Sequence, residues 1–184
     1  MSASEYSYLK SLPLVIHLPS LHTHIVHAGI LPFNPKHSPM ASEQPLAHIP
    51  TVSPPSATRT AQERALLTDI GQNTNPWVLL NMRSILNNDE VSRKSRKGTP
   101  WSEFWNMTME RCQGYHRAYG EVVDLNADAF KLPCLPINVV YGHAAARGLD
   151  IKRWSFGLDT GCVSPASMHL ASSFFIPFTT SLLF

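Results

Sequence analysis

Two histidines in this chain each follow an apolar run, and their surroundings match. Residues 137–141 are apolar and β-prone, the run stops at Gly142, and His143 follows at once. Upstream, Ile25-Val26-His27-Ala28-Gly29 repeats the arrangement, with a histidine, a small residue and a glycine closing an apolar run. Short apolar runs ended by glycine predict strands, and the glycine lets the backbone turn at the strand exit. Strand ends on a rigid scaffold are where α/β folds place ligand-binding side chains. Two histidines so placed point to a metal site assembled from dispersed strands. The competing reading is structural: a single histidine at a strand end is usually a hydrogen-bonded fold residue, and spacing alone does not separate the two.

Other residues with chemical potential are read more plainly. Arg93, Lys94, Arg96 and Lys97 form a local basic cluster. A solvated loop is the first reading, and an electrostatic funnel for a polyanionic substrate is the second. Cys112, Cys134 and Cys162 are odd in number, widely spaced and lack a C-x-x-C pair. They are expected to be reduced thiols, not a disulfide framework or a zinc cluster. His22, His24, His37, His48, His116 and His169 match no motif and are read as structural.

Around these residues the chain must supply elements that hold them. Its 184 residues suffice for one domain with a core, with 43% hydrophobic and 15% charged residues. A net charge of +2 is too small to imply nucleic-acid binding. The longest apolar stretch, residues 170–184, is interrupted by Pro177 and falls short of the roughly 20 residues a spanning helix needs. The first ten residues lack the pattern of a signal peptide. Two strands forming a hairpin are expected within 7–31. Seven prolines mark 32–57 as a loop or insertion. A helix is expected over 59–70, with Thr60 and Glu63 at capping-box spacing and Ala65, Leu66, Leu67 and Ile70 on its apolar face. Residues 77–80 read as a short strand or helix start, and 87–100 as a polar loop. Trp101, Trp105, Met109 and Cys112 recur at helical spacing, which predicts a helix over 101–119 packed on the core.

Val26-His27-Ala28-Gly29, Asn81-Met82-Arg83, Tyr141-Gly142-His143 and Gly157-Leu158-Asp159-Thr160-Gly161-Cys162-Val163, taken in order, resemble the C-terminal half of a calcineurin-like metallophosphoesterase. The branch it resembles contains diadenosine tetraphosphate hydrolases, serine/threonine phosphatases and fungal polyphosphatase-like proteins. The likeness covers residues 8–33 and 76–163. It implies an α/β fold: part of a metallophosphoesterase β-sandwich flanked by helices, with the N-terminal half missing. It also implies one domain portion over 1–163, followed by a divergent apolar tail over 164–184.

The resemblance assigns residues one by one. His27 matches a His-Ala-Gly ligand segment and His143 a Gly-His ligand segment of a divalent metal pair (Mn, Zn, Fe or Co). Neutral imidazole suits such ions. Arg83 resembles an arginine that grips phosphoryl oxygens. Asp159 and Cys162 resemble supporting positions. The family's Asp-x-His, Gly-Asp-x-x-Asp-Arg and Gly-Asn-His-Glu motifs have no counterpart here. A two-metal mechanism needs more than two histidines to hold both ions. The implied function is therefore a metal-dependent phosphoesterase or phosphoanhydride hydrolase that is incomplete and inactive as this chain, with no catalytic residue assigned and the metal pair not retained. Its substrate would be a dinucleoside polyphosphate, polyphosphate or phosphoprotein. No nucleic acid and no membrane span are expected, and cytoplasm and vacuole both remain open. The alternative is a non-catalytic remnant that binds a partner.

Overall fold

The apolar run at 14–26 folds back on itself at Pro19, whose fixed φ favours a tight turn and which has no N–H to donate to a ladder. In the computed structural model, which describes residues 1–115 and 131–161, β1 (Val15–Leu18) and β2 (Thr23–Val26) pair antiparallel across a 3-10 turn at Pro19–Leu21. This is the expected hairpin. β2 then pairs parallel with β6 (Asn138–Tyr141), and β6 pairs parallel with β8 (Ser155–Gly157). The short β7 (Asp150–Ile151) closes the far edge antiparallel to β8. The sheet order is β1-β2-β6-β8-β7. A second sheet joins β3 (Ser84–Ile85), β4 (Val91–Ser92) and β5 (Thr99–Pro100) in the order β4-β3-β5. The polar stretch 87–100, expected to be a loop, thus contributes two short strands.

Among the described residues four helices complete the mixed α/β fold: α1 (Ala3–Ser11), α2 (Thr58–Thr68), α3 (Pro76–Asn81) and α4 (Trp101–Met109). α1 was not expected from the sequence. Ser2 and Glu5 cap it reciprocally, yet it buries no residue. α4 ends earlier than the expected 101–119, and residues 116–119 lie outside the described residues. Its stripe is core, as its spacing requires: Trp101, Trp105 and Met109 are fully buried. Trp105 Nε1 donates to Ile137 O at 3.1 Å, and Trp101 stands edge-on to Tyr141 at 4.6 Å. The approach of helix to strand is close enough to demand glycine at Gly29, where a Cβ would sit 2.4 Å from the Trp101 indole.

Strand alternation gives the large sheet two unlike faces. His24, Val26, Val139 and Tyr141 point into the core with α4. On the opposite face Ile16, Ile25, Val140, Phe156 and Ile151 lie in register across all five strands. Ile16 is 43% and Ile151 49% exposed. Among the described residues no second layer covers this row.

The loop expected over 32–57 is found, and two other local expectations are corrected. The Pro-rich stretch 32–57 has only a 3-10 turn at Pro55–Ala57, but it packs inward: Gln44 and Leu46 are buried. Thr60 and Glu63 do not form a capping box. α2 starts two residues earlier, with Ala57 as its uncapped N-terminus, and Glu63 turns into the core beside Gln62 and Leu66. Cys112 and Cys134 are joined in a disulfide across 22 residues of sequence. The chain returns to the end of α4 at Leu132, which exchanges backbone hydrogen bonds with Arg111 and Gln113. That long-range return leaves no mark in cysteine spacing. Cys162, Val122 and Val123, His116, His169 and the 164–184 tail lie outside the described residues.

Candidate functional site

β2 and β6 run parallel in the middle of the sheet, with Val26 opposite Tyr141. Both therefore end at the same level, and their next residues meet. Gly142 N donates to His27 O at 2.9 Å. His27 Nε2 and His143 Nδ1 lie 3.1 Å apart, one ring donating and the other accepting. The rings tilt at 51° with centroids 4.9 Å apart. Residues 116 apart in sequence are thus brought into contact by strand register alone. His143 adopts φ of 62°, a left-handed conformation that non-glycine residues rarely take. The tight turn at Gly142 places it there. Burial, then Arg83 and then His27 hold the His143 pKa below its ordinary value, and Asp159 opposes them. The imidazole is thereby kept neutral, the form that ligates metals and accepts protons.

Arg83 is fixed beside this pair. Its Nε donates to His143 O at 3.1 Å and its Nη1 to Arg93 O at 3.0 Å. Arg147 Nη2 donates to Arg83 O at 2.8 Å. Arg83 and His143 line one end of an open cleft of about 530 Å³, together with Asn81, Arg93, Lys94, Ser95, Arg96 and Lys97. No carboxylate lines it. The basic cluster is at once the solvated loop of the first reading and the rim of the cleft, where it can gather an anion. Ser84 Oγ, which donates to Lys94 O at 2.7 Å, fixes the loop from the small sheet. Asp159 folds its carboxylate back to accept from Gly161 N at 2.9 Å.

The fit of a metal can be judged from the donor set. Two bonds of about 2.1 Å at a right angle span about 3 Å between donor atoms. The 3.1 Å between His27 Nε2 and His143 Nδ1 is compatible with two ligands of one ion. Among the described residues, however, no group of three or more His, Cys, Asp or Glu side chains converges. The described residues alone do not complete a metal pair.

No family model matches the chain, and no curated protein is similar to it in sequence. Among solved structures, the crystal structure of a provisionally assigned diadenosine tetraphosphatase is similar over 89% of this chain, with 20% identity and a TM-score of 0.44. The likeness covers 47% of that protein, so this chain spans about half its length. At this level the similarity carries no functional argument. No helix among the described residues is long and apolar enough to cross a membrane.

Proposed function

We propose that this chain is a portion of a phosphoesterase-type hydrolase that keeps an anion-binding cleft for phosphate-containing ligands and does not turn them over by itself. The carrying observation is the cleft: Arg83, Arg93, Lys94, Arg96 and Lys97 line it with no carboxylate among the described lining residues, and His143, in contact with His27, stands at its end. Five cations match a multiply charged ligand such as a polyphosphate chain better than a monoester. Arg83 is held in place before a ligand arrives, so little side-chain ordering opposes binding. His27 and His143 are the residues that would hold an ion, and an ion there would polarise a phosphoryl oxygen. With the ligand set incomplete, no hydrolytic step is assigned.

The test is titration of the purified chain with tripolyphosphate and with inorganic phosphate, followed by calorimetry. Tripolyphosphate is expected to bind more tightly, with affinity falling as salt rises. Arg83→Ala is expected to weaken it about tenfold, the loss of one charge-assisted contact. Equal weak binding of both anions, unchanged by Arg83→Ala, overturns the reading. Addition of Mn, Co or Zn is expected to give no hydrolysis of a generic phosphomonoester. Metal-dependent turnover that disappears in His143→Ala refutes the inactive portion of the proposal. A second reading, a non-catalytic fragment that binds a partner, is favoured by the apolar row from Ile16 to Ile151, exposed at both ends among the described residues.

A further inference from the structure

Away from the cleft, a second group of ionisable side chains joins three elements. Glu63 on α2 is fully buried. His17 Nε2 on β1 meets its Oε2 at 2.7 Å, and His22 Nδ1, in the turn before β2, meets its Oε1 at 2.8 Å. Arg59 Nε, one turn earlier on α2, lies 3.3 Å from Oε1. Arg59 Nη2 also donates to Pro136 O at 2.7 Å, just before β6. His24 on β2 faces His17 across the strand pair, with ring centroids 4.9 Å apart, and faces Trp105 at 6.5 Å. It is fully buried, and neither ring nitrogen has a hydrogen-bond partner. Tyr115, from the segment after α4, donates to Gln62 Oε1 next to Glu63 at 3.3 Å.

We propose that His24, buried behind the His17–Glu63–His22 contacts, is an acid-sensitive latch: while it is neutral the β1–β2 hairpin stays fastened to α2 and α4, and a proton on its own ring lets the hairpin go. The Glu63 carboxylate accepts from the His17 and His22 rings, and the Arg59 guanidinium lies beside it. A proton on His24 would have only the Glu63 backbone to offset it and would meet the His17 ring inside the core. A cation there is accommodated only when the hairpin moves away from α4 and α2.

The direction follows from linkage. Burial first, and His17 second, push the His24 pKa from 6.5 down to about 4, with Glu63 opposing. A histidine whose folded pKa is lowered contributes stability that is complete above 6.5 and is lost as pH falls from there towards 4. The hairpin's opening constant is then expected to rise about 30-fold between pH 7.5 and pH 5.

Amide hydrogen exchange of the full chain, corrected for intrinsic rates, reads this directly. Amides of β1 and β2 are expected to show the 30-fold rise, and those of α4 a much smaller one. His24→Phe, which fills the site with a ring that does not titrate, is expected to abolish the rise. His24→Gln carries the same expectation should the phenylalanine variant not fold. A wild-type hairpin indifferent to pH, an equal rise in α4, or a rise retained in the folded non-titrating variant overturns the proposal.

Discussion

Gly29→Ala is expected to destabilise the fold by about 3 kcal/mol, the upper range for forcing atoms into a packed core. The added methyl would lie 2.4, 2.5 and 2.9 Å from three atoms of the Trp101 indole. Real carbon atoms do not approach so closely, so something must yield. The indole cannot swing away easily: it is 1% exposed, stands edge-on to Tyr141 at 4.6 Å and contacts Trp105 at 6.5 Å. Backbone strain adds nothing, because Gly29 does not take a positive φ. Gly71→Ala is the control, since a Cβ there meets nothing within 4 Å and its φ is also ordinary. For a chain of this size about 3 kcal/mol corresponds to a melting shift of roughly 6–12 °C. Thermal unfolding followed by tryptophan fluorescence measures it. Loss of less than about 2 °C in Gly29→Ala, or equal loss in Gly71→Ala, would refute the view that α4 is seated against this glycine.

Three further outcomes can be measured on the same protein. Asn73→Ala removes a buried amide that accepts from Leu31 N and donates to Leu31 O and Leu66 O, and is expected to cost about 3 kcal/mol in chemical denaturation; a cost under about 1 kcal/mol would mean that water replaces it. The double variant Cys112→Ser with Cys134→Ser opens a loop of 22 residues and is expected to lose about 3 kcal/mol, read as the difference in urea midpoint from the oxidised chain; an unchanged midpoint refutes the bond. Asp150 titrates below its ordinary value: burial raises it, but the bonds from Lys152 and Tyr141 outweigh burial, so its contribution is present above 3.8 and fades as pH falls below. Tyr141→Phe, which removes the bond to Asp150 Oδ2 at 2.5 Å, is expected to raise the Asp150 pKa, seen in the carboxyl carbon's NMR titration; an unmoved titration contradicts the assignment.

The sequence was legible wherever a local pattern met a local cause. Periodicity gave the β1–β2 hairpin, β6 and the Trp101–Trp105–Met109 stripe of α4, because side-chain alternation follows burial. The meeting of His27 with His143 was expected from the two matched strand ends together with the family resemblance; the parallel β2–β6 pairing that puts both ends at one level came only from the structure. What escaped it depends on distant residues. Glu63 sits three residues after Thr60, as a capping box requires, but His17, His22 and Arg59 hold it in the core, and nothing near it in sequence announces them. The Cys112–Cys134 pairing depends on the return of the chain at Leu132. The small sheet of two-residue strands is too short for any period to show. Helix α1 rests on its own cap and buries nothing, so no amphipathic stripe marks it.

The contact between His27 and His143 closes a loop of 116 residues, whereas β1 and β2 meet across four. Closing the longer loop costs about 3 kcal/mol more in chain entropy. The hairpin can therefore form early, while the histidine pair waits for the parallel β2–β6 pairing, a slow class of contact. During synthesis β6 emerges only long after β2. The pair is thus an assembly-dependent feature: a nascent or partly folded chain can carry both histidines and the basic loop without a site. A probe that senses their proximity would time the last stage of folding, not the first.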